Sequence, residues 1–142
     1  MNRQAHFETI LTRARARPNL IVHDSTAPLN GDGTVVRASY VVLHDHGPDE
    51  ISDRRYTGSR DGDEGRTMRV IGRCVGEDPA AARRVASALI GQLTNGWTPI
   101  VPGRICWPLL IDDESEAIED DKVSPSLWYV DVDFTYRSNR GG

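Results

Sequence analysis

From Leu127 to Arg137 the chain alternates: Trp128, Val130, Val132, Phe134 and Tyr136 fall on one parity, Tyr129, Asp131, Asp133 and Thr135 on the other. Successive side chains of a strand point to opposite faces, so this pattern buries one side and wets the other. A strand inside a parallel sheet would be apolar on both sides, so the segment predicts an antiparallel strand at a half-exposed sheet. Such a sheet needs a second layer over its apolar face, and helices are the natural cover.

Two segments supply helices. Asn2 can cap a helix over residues 3–16 in which Phe7, Ile10, Leu11 and Ala14 follow helical spacing, and Pro18 stops it. Its last turns hold Arg13, Arg15 and Arg17, where cations complement the negative end of the helix dipole. Asp78-Pro79 is a cap and first helical residue, followed by the apolar stripe Ala82, Val85, Ala86, Leu89, Ile90 and Leu93, with Gly96 as the stop.

The other strands are shorter. Leu20-Ile21-Val22 and Thr34 to Leu43 flank the turn-forming Pro28-Leu29-Asn30-Gly31-Asp32-Gly33, which predicts a hairpin. Thr67 to Val75 and Arg104 to Leu110 add two more strands. Residues 44–66 lose periodicity and read as a long loop, a length usually reserved for function or for ordering by a partner. The expected fold is α+β: a mostly antiparallel β-sheet covered on one face by two α-helices, with a long loop between strands. All 142 residues form one expected domain, without internal repeats.

The charge is unevenly placed. The run Asp112, Asp113, Glu114, Glu116, Glu119, Asp120 and Asp121 packs seven carboxylates into ten residues, within the loop expected before the last strand; the remaining 132 residues carry 17 basic against 14 acidic side chains. A net charge of -4 argues against a dedicated nucleic-acid binder. No apolar run approaches the roughly 20 residues that cross a bilayer. Met1 to His6 has neither an apolar core nor a small-residue cleavage site, which predicts folding in a cytoplasm. Cys74 and Cys106 lie in apolar stretches and read as buried small hydrophobes.

His23-Asp24 and His44-Asp45-His46 are the candidates for chemistry, since imidazole and carboxylate together can hold a divalent metal or move protons. Equally, they are polar residues at strand ends, and neither segment has a ligand spacing with known mechanics. No nucleophile elbow, phosphate-cradling loop, His-Glu-x-x-His helix or Cys-x-x-Cys pair is present. Asp61 to Gly65 lacks the ligand periodicity of a calcium loop. No cofactor is expected. The acidic run is either a solvated segment or, in an assembly, a wall that repels phosphates along a DNA channel. Arg54, Arg55, Tyr56, Arg60 and Arg66 are placed to reach an acidic surface on a neighbour or partner.

With the first helix, the long Gly- and Arg-rich loop, the helix opened by Asp78-Pro79-Ala80-Ala81-Ala82-Arg83-Arg84-Val85, and the closing strand Trp128-Tyr129-Val130-Asp131-Val132-Asp133-Phe134, nearly the whole chain resembles the tail terminator (tail completion) proteins of long-tailed bacteriophages. The resemblance implies a non-enzymatic homohexameric ring at the neck of the virion tail, made in the host cytoplasm. Its partners would be the major tail tube protein and the head-to-tail connector or stopper. DNA would pass through without sequence readout. A connector or stopper, a small metal-dependent hydrolase built on His23, Asp24, His44 and His46, and a monomeric adaptor are the alternatives.

Overall fold

The computed structural model describes residues 3–49 and 65–141. Its elements are helix α1 (Arg3–Arg15), strands β1 (Val22–Asp24), β2 (Tyr40–Asp49) and β3 (Gly65–Gly76), helix α2 (Pro79–Leu93), and strands β4 (Arg104–Cys106), β5 (Leu110–Glu114), β6 (Ile118–Asp120) and β7 (Leu127–Arg140). Together they make an α+β fold with a seven-stranded mixed sheet ordered β1-β2-β3-β7-β4.

β3 and β7 pair antiparallel from Gly65↔Asn139 to Gly76↔Trp128. This register sets the faces. Met68, Val70, Gly72 and Cys74 stand opposite Tyr136, Phe134, Val132 and Val130, and β2 extends the row with Val41 opposite Cys74 and Leu43 opposite Gly72. Phe7, Ile10, Leu11 and Ala14 of α1 and Ala82, Val85, Ala86, Leu89 and Leu93 of α2 join these residues in one buried cluster. The stripes predicted for both helices are therefore their buried faces.

α2 is built to approach the sheet closely. Asp78 caps it by accepting a 2.7 Å hydrogen bond from the Ala81 amide, and Pro79 fills the first turn, where a missing N–H costs nothing. The sheet below it is glycine at the contact points. A Cβ on Gly76 would lie 2.5 Å from the Ala82 nitrogen, and one on Gly72 would lie 2.6 Å from a Leu89 methyl. Gly96, at φ 91°, takes up the left-handed conformation just past the helix.

Three sequence expectations change. The segment 20–43 is no hairpin: β1 and β2 run parallel, Val22 opposite Val41. The turn chemistry at 28–33 is real but local, closing one bridge between Leu29 and Val35 with Asn30 and Asp32 both bonding Thr34. The chain then travels back before pairing, so β1–β2 is a parallel pair in a sheet whose other described strand pairs run antiparallel. Of the loop expected at 44–66, residues 44–49 belong to β2 and residues 65 and 66 to β3, and the rest lies outside the described residues. The acidic run is not a loop either. β4, β5 and β6 follow one another along the free edge of β7, so the carboxylates sit on an edge strand, where charge blocks unwanted strand pairing.

Leu89→Ala should cost about 2–5 kcal/mol through lost burial and a residual cavity. Gly76→Ala should also lower stability, whereas Gly31→Ala, with open space around its added methyl, should stay within about 0.5 kcal/mol of the parent. Urea titrations check all three, and a neutral Gly76→Ala would contradict the close approach of α2.

Candidate functional surface

Odd-numbered residues of β3 and β7 form the sheet face turned away from the helices. Register puts Arg73 opposite Asp131, and the guanidinium grips the carboxylate with two bonds, 2.9 Å from Nε and 3.0 Å from Nη2. The same guanidinium lies 4.0 Å from the Tyr129 ring centre, a cation–π contact that fixes its plane. Arg69 Nη1 donates to Asp112 at 2.9 Å and to Asp133 at 3.3 Å. Hydrogen bonding to Asp112 and to Asp131 pushes Arg69 and Arg73, respectively, further above the ordinary arginine range. Through Asp112, this lattice also fastens β5 to the sheet. On the same face a smaller cluster, Tyr40, Val42, Val75 and Leu127, is buried under the chain from Val35.

The candidate residues disperse. Arg54, Arg55, Tyr56 and Arg60 lie outside the described residues. Arg66 is buried in β3 opposite Ser138. Asp112, Asp113 and Glu114 lie on β5, Glu119 and Asp120 on β6, and Glu116 and Asp121 beside them. Apart from the half-buried Asp120 these seven side chains are exposed. β1 and β2 do pair, but His23 stands against Tyr40, ring centres 5.7 Å apart, while Asp45 is held by Arg3 at 3.2 Å and His44 is exposed opposite Ile71. Among the described residues no three His, Cys, Asp or Glu side chains gather as metal ligands.

One polar cluster carries no motif in the sequence. His6 Nε2 and Ser138 Oγ share a 2.8 Å hydrogen bond. Arg104 donates to the same Oγ at 3.0 Å and to the Ser138 carbonyl at 2.7 Å, and the His6 ring stacks near Tyr136 at 6.3 Å. The spacing resembles a nucleophile and its base. Yet His6 is 1% exposed and Ser138 0%, so no substrate reaches them; the cluster clasps α1 to β7 and β4. Both positions had a signal. His6 continues the buried stripe of α1 with Ile10 and Ala14, and Ser138 continues the buried parity of β7.

Two apolar surfaces remain. A groove of about 550 Å³ runs between α1 and the segment after α2, lined by Ala5, Thr9, Arg13, Trp97, Ile100 and Pro102 among others. Arg13 lies over Trp97 at 5.4 Å. On the opposite sheet face, Ile105, Trp107 and Leu110 stand exposed at the β7 edge.

No family model matches this chain, and no curated protein matches it by sequence. Among solved structures it is similar to a chain of a "Virion of native gene transfer agent (GTA) particle", with TM-score 0.62 and 17% identity over 92% of this chain and 91% of that one. A second solved chain is similar at TM-score 0.63 and 16% identity, over 98% of this chain and 94% of that one. The likeness establishes a shared fold across nearly the whole length.

Two expectations follow from the buried groups. Ser138→Ala removes a partner shared by His6 and Arg104 and should cost about 1–3 kcal/mol in a thermal or urea melt. Burial pushes the Cys74 thiol from 9.0 up to about 12, and burial raises Tyr136 as well. The fold therefore holds these protons more tightly than the unfolded chain. That stability is fully present below pH 9.0 and is lost as pH rises toward 12. Urea midpoints should fall across this window, and less steeply in Cys74→Ala; an unchanged slope would contradict the assignment.

Proposed function

We propose that this chain is a structural subunit of a phage-like virion, a tail terminator that forms a ring, expected to be a homohexamer, at the head-proximal end of the tail tube. The observation that carries the reading is the likeness of fold to a chain of a gene transfer agent virion, over 92% of this chain and 91% of that one. The sequence resemblance to tail terminators points the same way. In this reading the whole chain acts as one domain, ends polymerisation of the tube protein, and presents its other side to the connector or stopper. DNA passes through without base readout.

The physical features suit such a role. A ring subunit needs a stiff body, which the β3–β7 ladder and α2 supply, and two different faces for its neighbours. Such a role needs no catalysis; in it the buried His6–Ser138 pair serves as a clasp, and the ionic lattice of Arg69, Arg73, Asp112, Asp131 and Asp133 is paired within the chain. The acidic edge from Asp112 to Asp121 then belongs either to the channel wall or to a subunit contact. Arg54, Arg55, Tyr56 and Arg60 would serve a partner contact.

The test is tube growth in vitro. The purified chain, added to polymerising tube protein of the same virus, should bind one tube end and shorten the length distribution, and no hydrolytic turnover should accompany it. Tubes that grow to the same length at saturating chain would contradict the terminator role.

A further inference from the structure

Among the described residues, Ile105, Trp107 and Leu110 stand exposed on one side of the sheet and Ile100 on the other. Leu110 stands opposite Thr135 and Ile105 opposite Asn139. Both belong to the parity of β7 that faces away from the helices, as does the shallow depression lined by Trp107, Pro108 and Leu110. The groove along α1 is on the helix side, where Ile100 is 83% exposed beside Trp97. Contiguous apolar surface of this kind marks an interaction site. Because the two patches sit on opposite faces, they cannot meet each other within one copy.

Charge continues each patch in matching order. Beyond Leu110 the same edge runs into the carboxylates from Asp112 to Asp121. Glu8 and Arg13 line the groove, Arg13 donating to the Gln92 carbonyl at 3.1 Å, and beyond it α1 runs into the exposed Arg15 and Arg17, so that residues 3–17 carry four arginines against one glutamate. Apolar-then-acidic on one face answers apolar-then-basic on the other. Such a pair of unlike, complementary surfaces on one chain joins copies head to tail and closes into a ring where the rotation permits.

We infer that a second copy of this chain is the occupant of the groove: Ile105, Trp107 and Leu110 of one copy seat between α1 and Trp97–Ile100 of the next, and the acidic edge follows the neighbour's Arg15 and Arg17. This rests on the ring reading and assigns its subunit contact. It makes the acidic edge an interface rather than a channel wall. Burying the apolar patch supplies the attraction, and the charge rows set the register and steer approach. The contact weakens with added salt, because Glu116, Glu119, Arg15 and Arg17 are exposed and screened.

Sedimentation of the full chain over a concentration series tests it, with Leu110→Asp breaking one face and Ile100→Asp the other. Leu110 is 66% exposed, and neither change touches the core, so both variants should melt with the parent. The parent should form species larger than a dimer. Each variant alone should stay monomeric, with association weakened at least tenfold, while an equimolar mixture should stop at a dimer, since only one good pair of faces remains. As a second check, Glu116→Arg with Glu119→Arg should weaken association, and Arg15→Glu with Arg17→Glu in the same chain should restore it. An oligomer that both variants leave unchanged overturns this docking while the terminator reading stands on the tube assay. A dimer formed by either variant alone also overturns it, since that contact would be two-fold. A parent that stays monomeric overturns the docking and the ring together.

Discussion

The rest of the fold hangs on the antiparallel ladder between β3 and β7. It runs from Gly65↔Asn139 to Gly76↔Trp128, and every residue in it has a face assigned by parity. A slip of β7 by one residue would put Asp131 and Asp133 into the core and Val132 and Phe134 into water, so the register is strongly specified. The ionic pairs are modest contributors at a partly exposed face. Their value lies in fixing that register and in bringing β5 in through Asp112. α2 then closes on the ladder because β3 offers glycine at positions 72 and 76.

How much was legible in the sequence follows from how local each signal is. The α2 cap, its stripe and the alternation of β7 are short-range patterns, and they predict the elements and faces found. β1 and β2 are different. Turn residues at 28–33 do form a turn, but a turn signal cannot tell whether the chain on either side pairs with itself or travels to another partner, and here it closes only Leu29 onto Val35. The acidic run hides β5 and β6 for another reason. An edge strand is satisfied by backbone bonds on one side and needs no apolar parity, so its side chains carry charge instead.

The surface was less legible than the core. The sequence singles out His23, His44 and the acidic run, whereas the structure makes Tyr40 the neighbour of His23, gives Asp45 to Arg3, and draws Asp112 into the ionic lattice. The paired histidine lay elsewhere, at His6, where burial turns a reactive-looking arrangement into a clasp. Among the described residues, apolar and charged surface stands open beside Trp97 and Ile100 and again beside Trp107 and Leu110. The proposed subunit role needs such patches and a body stiff enough to hold them apart.

The proposal that this chain is a ring-forming virion subunit is tested most directly by negative-stain images of the concentrated parent chain at low salt. Closed rings of about six copies with an open centre, which loosen as salt is raised, are the expected result. A field of single particles at the highest attainable concentration would contradict it.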